Sequence, residues 1–219
     1  IEYIGVALLF IVLIVVYTNF VLLDPSQKIF TSGPGDATGG FLWINVFDRS
    51  LSLIPGFTDM VNYPVGEAMG GPTFVTWLAI WIPMKALSFI SDPVTALNLV
   101  MAWGYLSMAL GMYWLIKRLT GSISVGVFAA FALTFVPYNI YKSSIHIAYI
   151  FDIVFILIFA AFLAFWMRPT RIRALLVALA FVLSVYTDGY YLLLAPVMLI
   201  GLIITGVLYG VVSRFKVRD

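Results

Sequence analysis

The sequence predicts an all-α, polytopic transmembrane bundle of about six spans, with a large external first loop that carries interfacial helices. Three observations carry this. Hydrophobic residues make up 63% of the chain and charged residues 10%, where soluble domains average about 45–50% and 25%. Uncharged apolar runs recur near the ~20 residues that a helix needs to cross the hydrocarbon core. Finally, eight of the twelve Lys and Arg residues fall in three short clusters at the ends of those runs, while six of the ten acids lie between Asp24 and Asp92.

The chain 1–219 reads as a single transmembrane module. Gly5 to Leu23 is uncharged and rich in Val, Ile and Leu, and is the first span. Residues 24–92 form the external loop with its juxtamembrane helices, and 93–212 form a five-span bundle. Within that bundle the spans run from Pro93 to Ile116, Leu119 to about Tyr138, Ile147 to Met167, Ala174 to Thr187 and Gly189 to Val212. Because the chain opens at Ile1 and stops at Asp219 just past an apolar helix, truncation at one or both ends is expected. With no cysteine, disulfides and thiolate metal sites are excluded.

Thr73 to Ser91 is ambiguous. Its apolar part ends at Met84, is punctuated by Pro83 and is broken by Lys85, which suits an interfacial or re-entrant piece better than a span. If it does not cross, Lys117 and Arg118, then Arg168, Arg171 and Arg173, then Arg214, Lys216 and Arg218 all face the cytoplasm. Both termini are then cytoplasmic, and segment 24–92 lies outside a multi-pass protein of the cell (inner) membrane. In that segment Phe41, Ile44, Phe47, Leu51 and Ile54 recur at spacings of three and four, an apolar stripe suited to the membrane surface. Pro55-Gly56 closes this helix, and Asn62 to Glu67 and Gly70 to Pro72 read as turns. Two short interfacial helices tied by turns are expected.

Few residues here bear chemistry. Asp36 sits in Gly33-Pro34-Gly35-Asp36-Ala37-Thr38-Gly39-Gly40, where glycines let the backbone approach a ligand closely. It either binds a divalent cation or takes a proton from an acceptor hydroxyl, or it simply caps the following helix. His146 is the only histidine, in the short external loop after the third span; it is either a metal ligand or proton carrier, or merely hydrogen-bonded. Lys142, one turn earlier, is placed to meet a lipid phosphate. Asp152 lies one to two turns inside the fourth span, where an acid is costly and so a functional candidate, unless a Tyr or Asn simply holds it. Asp188, in the tight link before the last span, either faces the same cleft or caps that helix. Gly206 and Gly210 have the spacing of close helix packing. The chain has no P-loop, Rossmann glycine pattern, His-Glu-x-x-His or Gly-x-Ser-x-Gly.

The order of parts resembles the N-terminal module of the GT-C superfamily, polytopic glycosyltransferases that use polyprenyl-phosphate-linked sugars. Gly35-Asp36 followed by the Phe41–Ile54 helix looks like that family's first-loop acidic motif. Asn62-Tyr63-Pro64-Val65-Gly66 with Pro72, Asn98 early in the second span, and Trp114 to Gly121 at its end are similar to bacterial members. Phe135 to Tyr138 and Tyr186 to Tyr190 look like the later external links. The second external loop holds His146, with Asp152 deeper, where the family often has acids, and the later link holds Asp188 where a basic residue is usual.

The resemblance implies inverting transfer of a sugar from a polyprenyl-phosphate donor to an acceptor at the extracytoplasmic face. Asp36 is the implied general base or metal ligand, with His146 as a second ligand if Mg or Mn is bound. Lys85, Lys142, His146, Asp152, Asp188, Tyr63 and Glu67 are the implied substrate-binding residues. The lipid bilayer and the lipid-linked donor are the expected partners, with a partner subunit or a further part of the same chain; nucleic acid is not. The alternative is a non-catalytic membrane subunit, scaffold or lipid-linked-sugar flippase.

Overall fold

The computed structural model describes residues 1–29, 57–58, 67–68, 78–145 and 151–216. Among these residues eight helices account for nearly all of the regular structure: α1 (Glu2–Tyr17), α2 (Leu78–Ser88), α3 (Pro93–Thr120), α4 (Ile123–Thr134), α5 (Pro137–Ile145), α6 (Ile153–Met167), α7 (Arg171–Val185) and α8 (Tyr191–Lys216). A two-residue antiparallel ladder joins Phe57–Thr58 to Glu67–Ala68, with Phe57 opposite Ala68. The 24–92 segment, expected as helices tied by turns, therefore also holds a short ladder. Its glycine-rich stretch and the Phe41–Ile54 stripe lie outside the described residues.

Among the described residues three stretches are long and apolar enough to cross a membrane: Pro93–Thr120, Ile123–Lys142 and Tyr191–Tyr209; α1 and α6 are shorter apolar helices. By length and composition these helices suggest a membrane protein. Its helix ends explain the differences from the hydropathy reading. The first helix stops at Tyr17 because Asn19 and Phe20 adopt left-handed backbone angles, φ 53° and 60°, which end helical hydrogen bonding. Chain then turns through a single 3₁₀ turn, Val21–Leu23. The run ending at Tyr138 is split in two, since Pro137 has no N–H for α4 to use and instead opens α5. The span read from Ile147 is helical from Ile153.

The longest helix, α3, is signalled at both ends. Asp92 Oδ1 accepts from the backbone N–H groups of Val94 and Thr95, each at 3.0 Å, and Pro93 takes the first helical position. Gly121, at φ 73°, closes it and donates its N–H to the Lys117 carbonyl at 2.8 Å. The α6–α7 corner is held by Arg173, whose Nη1 donates to the Ala164 carbonyl at 2.7 Å.

Packing centres on α3, which lies against α1, α2, α4 and α6. The main core joins Phe10 and Ile14 of α1, Ile80 and Met84 of α2, Leu97, Met101, Met108 and Tyr113 of α3, and Ile156 of α6. Within the ambiguous segment, Leu78–Ser88 forms α2, an 11-residue helix that buries Ile80 and Met84 against α3. A smaller core of Ile158, Ala180 and Ala195 unites α6, α7 and α8. Close approach is bought with glycine at the contacts: a Cβ on Gly126 would stand 2.9 Å from the Tyr113 ring, and one on Gly206 2.8 Å from Trp166. The Gly206 packing role read from its spacing is thus realised against α6.

Candidate functional site

The polar side chains buried in this apolar bundle stand mostly at or near helix ends: Thr18 after α1, Lys85 in the last turn of α2, Asn98 near the start of α3, Thr134 at the end of α4, and Thr187 and Asp188 between α7 and α8. Asp152 stands immediately before α6 without capping it. Its Oδ1 accepts the hydroxyl of Tyr191, the first residue of α8, at 2.6 Å. Tyr191 is itself 1% exposed and packs edge-on against Phe155, ring centroids 4.7 Å apart. Such burial leaves a hydroxyl or carboxylate expensive unless partnered, and here each satisfies the other. Asp152 therefore has the kind of tyrosine partner that one of the two sequence readings anticipated.

Tyr191 also reaches the second acid. Its backbone N–H donates to the Asp188 carbonyl at 3.0 Å. The Asp188 carboxylate accepts the Tyr190 N–H at 2.7 Å, and the residue is 2% exposed. This is the turn geometry by which Asp starts a helix. One tyrosine thus ties Asp152 by its hydroxyl and Asp188 by its main chain.

The position of Asp152 along the bundle follows from its neighbour. A Cβ on Gly111 would collide with the Ile153 side chain. Gly111 lies about 27 Å along α3 from Pro93 at the helical rise of ~1.5 Å per residue. The start of α6 therefore sits beside the second half of α3, well below the α3 entrance.

Near that entrance, Asn98 is 1% exposed and donates Nδ2 to the carbonyls of Pro25 and Lys28, at 2.8 and 2.6 Å. These bonds fasten the beginning of the 24–92 segment to α3. Asn139 of α5 does related work, donating to the Leu133 carbonyl at 2.8 Å across the Pro137 break. Lys142 of α5 lies 5.9 Å from the Tyr138 ring. Lys85 of α2 is 4% exposed, with its ammonium 5.6 Å from the Phe89 ring.

Asp36, Tyr63 and His146 lie outside the described residues, and Glu67 is described only through its backbone in the ladder. The structure therefore brings together Asp152 and Asp188, through Tyr191, and sets Lys85 and Lys142 on separate helices. Among the described residues no three His, Cys, Asp or Glu side chains converge as a metal site; Asp36 and His146, to which the cation was assigned, are not among them. Sequence reasoning missed Tyr191 and the task of Asn98. Both carried a signal: a lone amide or phenol in an apolar helix needs a partner.

No family model, curated protein or solved structure matches the chain.

Proposed function

We propose that the chain is a GT-C-type membrane glycosyltransferase module of about six spans, with both termini cytoplasmic and segment 24–92 external. It would transfer a sugar from a polyprenyl-phosphate donor with inversion. The observation that carries this reading is the Asp152–Tyr191–Asp188 arrangement: a half-buried acid and a buried one linked through one tyrosine inside an apolar bundle. A bundle that served only as lipid-facing scaffold has no need to draw two carboxylates into its interior.

In this mechanism Asp36 accepts the proton of the acceptor hydroxyl. The acceptor oxygen bonds to the anomeric carbon as the sugar–phosphate C–O bond breaks, and polyprenyl phosphate leaves with the electron pair. No protonated leaving group is needed, so cationic stabilisation of the phosphate suffices. Lys142 and His146 are the external groups for that task, and Lys85 would join them if α2 turns it outward. Asp152, Asp188, Tyr63 and Glu67 would contact sugar and acceptor.

The test is Asp36→Asn in the full-length protein, assayed for transfer of labelled sugar from polyprenyl-phosphate donors. Transfer should vanish while abundance in the membrane holds; unchanged transfer sinks the assignment. A non-catalytic subunit, scaffold or flippase is the second reading. It draws on α8, of whose apolar window 11% is buried against 44% for α3, a surface large enough for a partner.

A further inference from the structure

The C-terminal end of α3 holds a different cluster. On α3, Trp114, Lys117 and Arg118 are spaced three and four apart and so share one face. Together with Tyr3 of α1 they line an open cavity of about 380 Å³. Lys117 is paired with Glu2, whose carboxylate also accepts the Tyr113 hydroxyl. The same ammonium lies 5.5 Å from the Tyr3 ring and 6.0 Å from the Tyr113 ring. Its position is therefore fixed by an acid and two aromatics.

Arg118 is exposed, and among the described residues it makes no hydrogen bond or ion pair. With Glu2 answering Lys117, the cluster keeps one net positive charge. Trp114, 43% exposed, flanks it. A helix end where an amphipathic indole adjoins a cation is at headgroup depth in a bilayer. The cavity is within the ~300–1,000 Å³ of small-molecule sites, and a guanidinium can grip a phosphate through two parallel hydrogen bonds.

The geometry points to a binding site for one anionic phospholipid in the membrane leaflet at this end, its phosphodiester held by Arg118 and Lys117. The headgroup would rest between Tyr3 and Trp114, with the acyl chains along the exposed apolar side of α1, at Ile4 and Leu8. A monoanionic phosphodiester matches the single uncompensated charge. This site is independent of the glycosyl-transfer reading and requires only that the bundle sits in a bilayer.

The experiment is native mass spectrometry of the purified protein in detergent, titrated with phosphatidylglycerol, phosphatidylcholine or glycerol phosphate. Wild type should retain one phosphatidylglycerol about five- to tenfold better than phosphatidylcholine, the scale of one partly solvated charge-assisted contact. Arg118→Gln should bring the two lipids to parity and Arg118→Lys should fall between, while Arg171→Gln, an exposed cation at the α6–α7 corner, should change nothing. Equal retention of both lipids by wild type overturns the proposal. So does an equal loss in Arg171→Gln, which would mean diffuse attraction. Glycerol phosphate displacing the lipid at equal concentration would mark a site for free phosphate esters and overturn it as well. Circular dichroism on each variant, with helix content retained, ties a lost preference to the site rather than to unfolding.

Discussion

The side-chain amide of Asn98 holds the main-chain carbonyl of Lys28 at 2.6 Å, joining two residues 70 positions apart. The same Nδ2 reaches Pro25, so one amide replaces water for two carbonyls at the beginning of the 24–92 segment. Replacing Asn98 by Leu keeps the volume and removes the donor. Leaving both acceptors unmet should cost about 1–3 kcal/mol. A thermal-unfolding midpoint in detergent would register it, and limited proteolysis should cut the 24–29 stretch faster in the variant. An unchanged midpoint and unchanged cleavage would show that these bonds hold nothing.

Tyr191→Phe and Asp152→Asn probe the half-buried acid. Losing the phenol leaves a carboxylate without its 2.6 Å donor, and about 1–3 kcal/mol of stability should go. Asp152→Asn retains an acceptor oxygen and should cost less. In the double variant the two effects should fail to add, with a coupling on the order of 1 kcal/mol. Strict additivity in a chemical-denaturation cycle would separate the two residues.

Asp92 offers a pH test outside the spans. The Thr95 hydroxyl, at 2.6 Å, and then the Thr95 backbone N–H hold its carboxyl below the ordinary value of 3.8. A depressed folded value means that the ionised cap stabilises α3 fully above that ordinary value and less as pH falls through the folded one. Asp92→Ala should therefore lower the unfolding midpoint at pH 7, by the equivalent of about 0.5–2 kcal/mol as for other N-caps. The gap from wild type should narrow below pH 4. A gap independent of pH would exclude the ionised carboxylate as its source.

Much of the bundle was legible from local rules. Asp92-Pro93 and Gly121 mark the ends of α3, and Thr170 caps α7 by accepting the Arg173 N–H at 3.3 Å. Hydropathy averages over a window, however, and so ran past the left-handed pair Asn19 and Phe20 and across Pro137, each of which acts through one backbone position. The site was legible in part. The cost of burying an acid flagged Asp152, but its tyrosine stands 39 residues away. Such pairing is set by the packing of α6 against α8 and leaves no local period in the chain.

The contact of Ile153 with Gly111 has a consequence for the surrounding lipid. The 25–28 turn is fixed near the first turns of α3, whereas α6 begins about 27 Å further along that helix by its ~1.5 Å rise per residue. The start of α3 thus stands well beyond the start of α6 along the helix axis. A uniform hydrocarbon layer of about 30 Å cannot match both, and mismatch of this kind is relieved by thinning the bilayer beside the shorter element. With α3 set across a bilayer, thinning there would carry the lipid phosphates toward Asp152 and its half-buried carboxylate.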